Sequence, residues 1–164
     1  MALSATKATK KMIAIGVSNR HIHLAAQDME ILFGPDHEPQ EFKKLSQPGQ
    51  YASQDVVTLL GPKGTIEKVR ILMPFRSKTQ IEVSLTDCFK LGIPPVIRDS
   101  GDTQGSPGVT MIGPKGQVTL QEGVIVAARH IHLKPEEAEL LEVKDGQRIS
   151  VEVQGERGLR FDEV

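Results

Sequence analysis

Apolar and polar residues alternate with a period of two over most of this chain, in short runs rich in valine and isoleucine that end at glycine or proline. Alternation of this kind buries one side of a run and leaves the other free, so it predicts strands over 12–17, 56–60, 66–73, 80–85, 109–112, 124–133 and 148–153. Helical periodicity is rarer. It predicts a helix over 27–33 closed by Gly34, and one from Pro135 through 141, opened by a residue suited to a first turn. A single further turn is expected over 87–91, with Thr86 as its cap and Gly92 behind it. Residues 35–54 are polar with little alternation and are expected to form a long excursion over the surface. The expected fold is mainly β with short α-helices.

Two strings recur. Arg-His-Ile-His-Leu stands at 20–24 and at 129–133, each time ahead of a short acidic helical pattern. Gly-Pro-Lys-Gly stands at 61–64 and at 113–116, each time between β-rich runs, where it reads as a hairpin turn. The two spacings, 109 and 52 residues, differ. A simple tandem duplication does not account for both, and a pair of barrels with exchanged segments is the better expectation.

Composition narrows the function classes. The 164 residues, 38% of them hydrophobic, suffice for one compact unit or two small intergrown ones. Twenty basic residues nearly cancel 21 acidic ones, so no global field directs the chain to nucleic acid or to a membrane surface. Aromatic residues make up 4% and tryptophan is absent, which argues against a base-stacking surface. The single cysteine, Cys88, excludes an internal disulfide and fits a reducing cytoplasm. Residues 1–12 are small, polar and lysine-rich. They read as a disordered head rather than a secretory leader, and no run of membrane-spanning length follows.

The histidines carry the chemical signal. Four of the five fall in two His-x-His pairs, His21 with His23 and His130 with His132. On a strand, residues two apart share a face, so each pair would present two imidazoles to one side while Ile22, Leu24, Ile131 and Leu133 turn into the core. Buried histidines bonded to backbone are the structural alternative; the repetition of the pair favours metal. Imidazole suits zinc, and also copper, iron or nickel. A catalytic zinc usually takes three protein ligands, and Glu82, on the polar side of the 80–85 run, is a candidate third as well as an ordinary exposed strand glutamate. Arg76 and Lys78 lie just upstream, either as phosphate binders or as solvated charge. The glycine-rich loop over 98–108 is either an anion-binding nest or purely structural. Cys88, in an apolar turn without a neighbouring histidine, reads as a buried thiol.

Three strings, Val17 to Leu24 (VSNRHIHL), Pro95 to Asp102 (PVIRDSGD) and Ala128 to Leu133 (ARHIHL), resemble in order the signatures of the PduL-type phosphate propanoyltransferases. The resemblance runs from about Ile13 to the end. It implies two intergrown β-barrels capped by short α-helices, with 13–19 and 128–164 in the first and 20–127 in the second, and a dinuclear zinc site between them. His21, His23 and Glu82 resemble the ligands of the zinc that meets the coenzyme A sulfur, and His130 and His132 those of the second ion. Arg76 resembles the phosphate-holding arginine, while Ser18, Lys43, Arg70 and Leu72 resemble positions lining the coenzyme A site. Members of the family continue past the equivalent of Val164 with further strand and a third histidine for the second zinc, so the first barrel is expected to be incomplete here.

The activity implied is exchange of coenzyme A and phosphate on a propanoyl or acetyl group, through a short-chain acyl phosphate, with no nucleic acid or membrane partner. The competing readings are a zinc hydrolase and a non-catalytic metal-binding component of a bacterial microcompartment. The head lacks an amphipathic apolar face, which leans towards a free cytosolic enzyme; a homo-oligomer or association with a microcompartment stays open.

Overall fold

The computed structural model describes residues 12–164, so most of the head expected over 1–12 lies outside the described residues. Two compact units divide the chain, one joining the residues up to Ser18 to His130–Val164, the other formed by Asn19–Arg129. Among the described residues no helix is long and apolar enough to cross a membrane.

Unit Asn19–Arg129 is built on a nine-stranded mixed sheet. Its strands are β1 (His21–Ala25), β2 (Glu41–Lys44), β3 (Tyr51–Leu60), β4 (Thr65–Arg76), β5 (Gln80–Glu82), β6 (Ile97–Arg98), β7 (Thr110–Ile112), β8 (Gln117–Thr119) and β9 (Val124–Ala127). They follow the order β6-β9-β5-β1-β4-β3-β7-β8, with β2 added to β3. Two short helices, α1 (Ala26–Phe33) and α2 (Leu85–Leu91), follow β1 and β5 directly or nearly so. The alternation read from the sequence buries Ile22 and Leu24 from β1, Leu59 from β3, Val69 and Ile71 from β4, Ile81 from β5 and Met111 from β7, all without exposed surface. Leu32 and Leu91 add the apolar faces of the two helices to this core.

This unit has an internal quasi-twofold symmetry. β1 and β5 pair antiparallel about Ile22 and Ile81, with His21 opposite Glu82 and His23 opposite Gln80. β3 and β7 pair antiparallel about Leu59 and Met111, with Thr58 opposite Ile112 and Leu60 opposite Thr110. β1 runs parallel to β4, and β5 parallel to β9. Each Gly-Pro-Lys-Gly turn lies against the end of the other half's helix: the Lys63 amide donates to the Leu91 carbonyl and the Lys115 amide to the Leu32 carbonyl, both at 3.0 Å. These carbonyls belong to the last turns of α2 and α1, where no intrahelical donor remains, so the repeated turn serves as an external cap. Its spacing of 52 residues therefore follows the quasi-twofold symmetry of this unit, distinct from the Arg-His-Ile-His-Leu echo, which crosses the unit boundary.

The other unit contains α3 (Pro135–Leu141) and a hairpin of β10 (Val151–Val153) with β11 (Leu159–Phe161). Ile149 and Val164 exchange two backbone hydrogen bonds of 3.2 and 3.1 Å beside that hairpin.

Several expected elements differ. Residues 12–17 are in no strand, and the run expected over 124–133 stops at Ala127, so 128–134 belong to no helix or strand. Ile131 and Leu133 are half-buried rather than turned into a core. The 80–85 run ends at Glu82 because Ser84 caps α2: its hydroxyl accepts from the Asp87 amide while the Asp87 carboxylate accepts from the Ser84 amide. Ser84, not Thr86, is thus the cap. Residues 35–54 include β2 and the start of β3, and Ala52 and Ser53 are buried.

Candidate metal centre

The pairing of β1 with β5 builds the centre. With Ile22 and Ile81 sealed in the core, the period of two sends His21, His23, Gln80 and Glu82 to the opposite face of the same two strands. One ligand atom from each of His21, His23 and Glu82 lies within 4.8 Å of the others. His21 Nε2 stands 3.4 Å from Glu82 Oε2, and His23 Nε2 stands 4.0 Å from Glu82 Oε1. The other nitrogen of His21, Nδ1, donates to the Asn19 carbonyl at 2.8 Å, which turns the Nε2 lone pair towards Glu82.

Burial sets the charge of the second imidazole. His23 is 5% exposed, and burial, followed by the positive charge of Arg76 and by His21, pushes its pKa down to about 3. A neutral, buried, correctly facing imidazole is the form that binds a metal. Two histidines and a carboxylate are a donor set that suits zinc, so the residues present fit the ion that the resemblance implies.

Arg76 ends β4 and donates through Nη1 to the Ser100 hydroxyl at 3.3 Å. Burial lowers its pKa, with Glu82 acting in the opposite direction. Ser100 in turn donates to Glu82 Oε1 at 3.1 Å, so the glycine-rich loop reaches the centre through this residue. Lys78 is exposed, and Cys88 is buried in α2, where burial pushes its thiol up.

Register places Arg70 beside His21 and Leu72 beside His23 on the neighbouring strand β4. Arg70 donates to the Ser53 carbonyl at 2.6 Å and lies 4.3 Å over the ring of Phe42, next to Lys43 on β2. Ser18, exposed, belongs to the other unit. So do His130 and His132, whose Nε2 atoms converge to 3.1 Å with the rings edge to face. Both are exposed and sit on irregular backbone rather than on the expected strand.

Sequence patterns did not single out Gln80, which is 2% exposed and bonds Glu82, although its place two residues before Glu82 on the polar side was the available signal. The fifth histidine, His37, pairs with Asp55 at 2.9 Å and stacks on Phe33, tying the start of the excursion down.

Residues 14–164 match the family model described as phosphate propanoyltransferase. The phosphate propanoyltransferase of Thermotoga maritima is 52% identical over 153 residues, covering 93% of this chain and 73% of its own. That of Rhodopseudomonas palustris is 54% identical over 146 residues, covering 89% and 65%. That of Salmonella typhimurium is 50% identical over 156 residues, covering 94% and 74%. The chain thus spans about two thirds to three quarters of the length of these relatives, and it belongs to the phosphate propanoyltransferase family of acyltransferases.

Proposed function

We propose that this chain is a zinc-dependent phosphate acyltransferase that interconverts a short-chain acyl phosphate plus coenzyme A with acyl-coenzyme A plus phosphate. The observation that carries the reading is the convergence of His21, His23 and Glu82 on one face, with Arg76 tied to the same carboxylate through Ser100. Zinc held by these three donors supplies Lewis acidity sufficient to ionise a thiol near neutral pH. Its ligands are prepared by the chain: burial keeps His23 neutral and the Asn19 carbonyl orients His21.

Transfer is direct. The coenzyme A thiolate attacks the acyl carbonyl, the bond to phosphate breaks, and the phosphate takes the electron pair; in reverse, phosphate attacks the thioester. Arg76 holds the phosphate by charge-assisted hydrogen bonds. No acyl-enzyme is required, which agrees with a Cys88 thiol that is buried and harder to ionise than usual. Ser18, Lys43, Arg70 and Leu72 line the coenzyme A site in this reading, and His130 and His132 bind a second zinc. The two-barrel organisation, 13–19 with 128–164 and 20–127, belongs to the same proposal.

A coupled assay of propanoyl or acetyl phosphate with coenzyme A, before and after chelation and zinc restoration, tests it. Full activity after complete metal removal refutes the zinc mechanism. Release of free acid without coenzyme A identifies a hydrolase instead.

A further inference from the structure

We infer that Gln80 is the positioning residue of the first metal cluster, holding Glu82 by one oxygen so that the other, Oε2, serves as the ligand. The inference rests on the metal reading above, and it concerns how this chain prepares its own carboxylate.

The orientation of the carboxamide is fixed by its neighbours. The Gly101 amide can only donate, and it meets Gln80 Oε1 at 2.8 Å, so Oε1 accepts and Nε2 must be the donating end. Nε2 donates to Glu82 Oε1 at 2.7 Å and to the Ser100 hydroxyl at 3.0 Å. Ser100 itself donates to Glu82 Oε1. Two donors thus converge on one carboxylate oxygen, while Oε2 faces His21 Nε2. Gln80 is 2% exposed, so losing any of these bonds would strand a polar group away from water, and the amide has little freedom to leave.

The quasi-twofold axis makes the choice of residue informative. It passes between Ile22 and Ile81 and exchanges His21 with Gln80 and His23 with Glu82. The face therefore has four corners in two equivalent pairs, and three of the four carry metal-ligating side chains. A side-chain amide competes poorly with imidazole for zinc. Gln80 at the fourth corner leaves that coordination position free and converts the corner into an anchor for the third ligand. Through Ser100 the same amide is one bond removed from Arg76, so it also sets the spacing between carboxylate and guanidinium.

The test uses the full chain with His130→Ala and His132→Ala, so that bound metal reports on the first cluster. Zinc affinity is measured by chelator competition, and cobalt is bound in zinc's place for its visible absorption bands. Gln80→Leu is expected to weaken zinc binding about 10–100-fold, the usual effect of removing a partner behind a metal ligand, and to shift the cobalt bands. Ser100→Ala, on an exposed loop, removes one of the two donors and is expected to give the same shift with a smaller loss, which keeps the inference testable if Gln80→Leu fails to fold. Unchanged affinity and cobalt bands in these variants overturn the inference while leaving the metal reading intact, provided His21→Ala abolishes binding. A parent protein that binds neither metal, or a His21→Ala variant that binds as the parent does, overturns both.

Discussion

Arg20 and Asp87, 67 positions apart in the sequence, form a two-point ion pair, with Nε 3.0 Å from Oδ2 and Nη2 2.9 Å from Oδ1. Arg20 immediately precedes β1, and Asp87 sits in the first turn of α2. At the quasi-equivalent positions Thr79 immediately precedes β5 and its hydroxyl donates to Asp28 in the first turn of α1. Arg20 and Thr79 stand 59 positions apart, and so do Asp28 and Asp87. One architectural contact, the start of a central strand to the helix of the other half, is thus made once by an ion pair and once by a hydroxyl.

Both versions should matter for stability. Asp87 is buried, and although burial alone would raise its pKa, the hydrogen bonds from Arg20 and Ser84 hold it below the usual carboxylate value. Arg20→Leu leaves that carboxylate without its principal partner and should cost about 2 kcal/mol, less than a fully buried pair because the guanidinium is partly exposed. Thr79→Val should cost about as much, since Thr79 also accepts from the buried Ala25 amide. Urea unfolding checks both; a loss in one variant and none in the other would deny the equivalence.

The two hairpin turns make a second matched pair of predictions. A Cβ on Gly61 would lie 2.3 Å from the Leu91 carbonyl oxygen, and one on Gly113 would lie 2.5 Å from that of Leu32. Both obstacles are backbone and cannot rotate away, so Gly61→Ala and Gly113→Ala should each destabilise by about 2–3 kcal/mol. Gly16, with nothing within 4 Å of its Cβ position, is the control and should change stability by less than about 0.5 kcal/mol on alanine substitution. Thermal and urea unfolding of the three variants decide the matter.

What the sequence discloses follows from what side-chain patterns encode. Alternation reports which way side chains face, and it correctly put His21 with His23 and left Glu82 on a polar side. It does not report whether a neighbouring backbone is there to pair, which is why 128–134 looked like strand and is not. β2, β6 and β8, of four, two and three residues, carry too little apolar alternation of their own to register. The quasi-symmetry was hidden for a different reason. Only the capping turns keep their residues, whereas the ion pair of Arg20 and the hydroxyl of Thr79 fill equivalent positions with unlike chemistry. Gln80 escaped notice because an amide carries no chemical signature until its partners are known.

The depressed pKa of His23 gives the metal-free protein a definite response to acid. The unfolded chain takes up a proton near 6.5, whereas the buried ring in the folded chain resists it down to about 3. Below about 6.5 the unfolded state therefore binds more protons, and His23 costs stability as pH falls through that window, by up to ~1.4 kcal/mol per pH unit. Above it the residue contributes no slope. With chelator present, urea unfolding between pH 7 and 5 should show a shallower decline for His23→Gln than for the parent; parallel declines would contradict the assignment.

Arg76 offers the sharpest test of the reaction. Its side chain is half-buried beside the metal-binding carboxylate yet donates only a long bond, 3.3 Å, to Ser100, so its guanidinium retains donors for an anion. A phosphate held there by charge-assisted hydrogen bonds gains about 1.5–3 kcal/mol over one that is not. Arg76→Ala should accordingly weaken apparent phosphate affinity about 10–100-fold in the acyl-coenzyme A to acyl phosphate direction, with coenzyme A affinity changed less than about 2-fold. Arg76→Lys should recover part of the loss, because a lysine restores the charge but not the two-point geometry. Zinc content should be unchanged in both variants, since the guanidinium is not a ligand. Equal losses for phosphate and coenzyme A would assign Arg76 to holding the fold of the site rather than the phosphate.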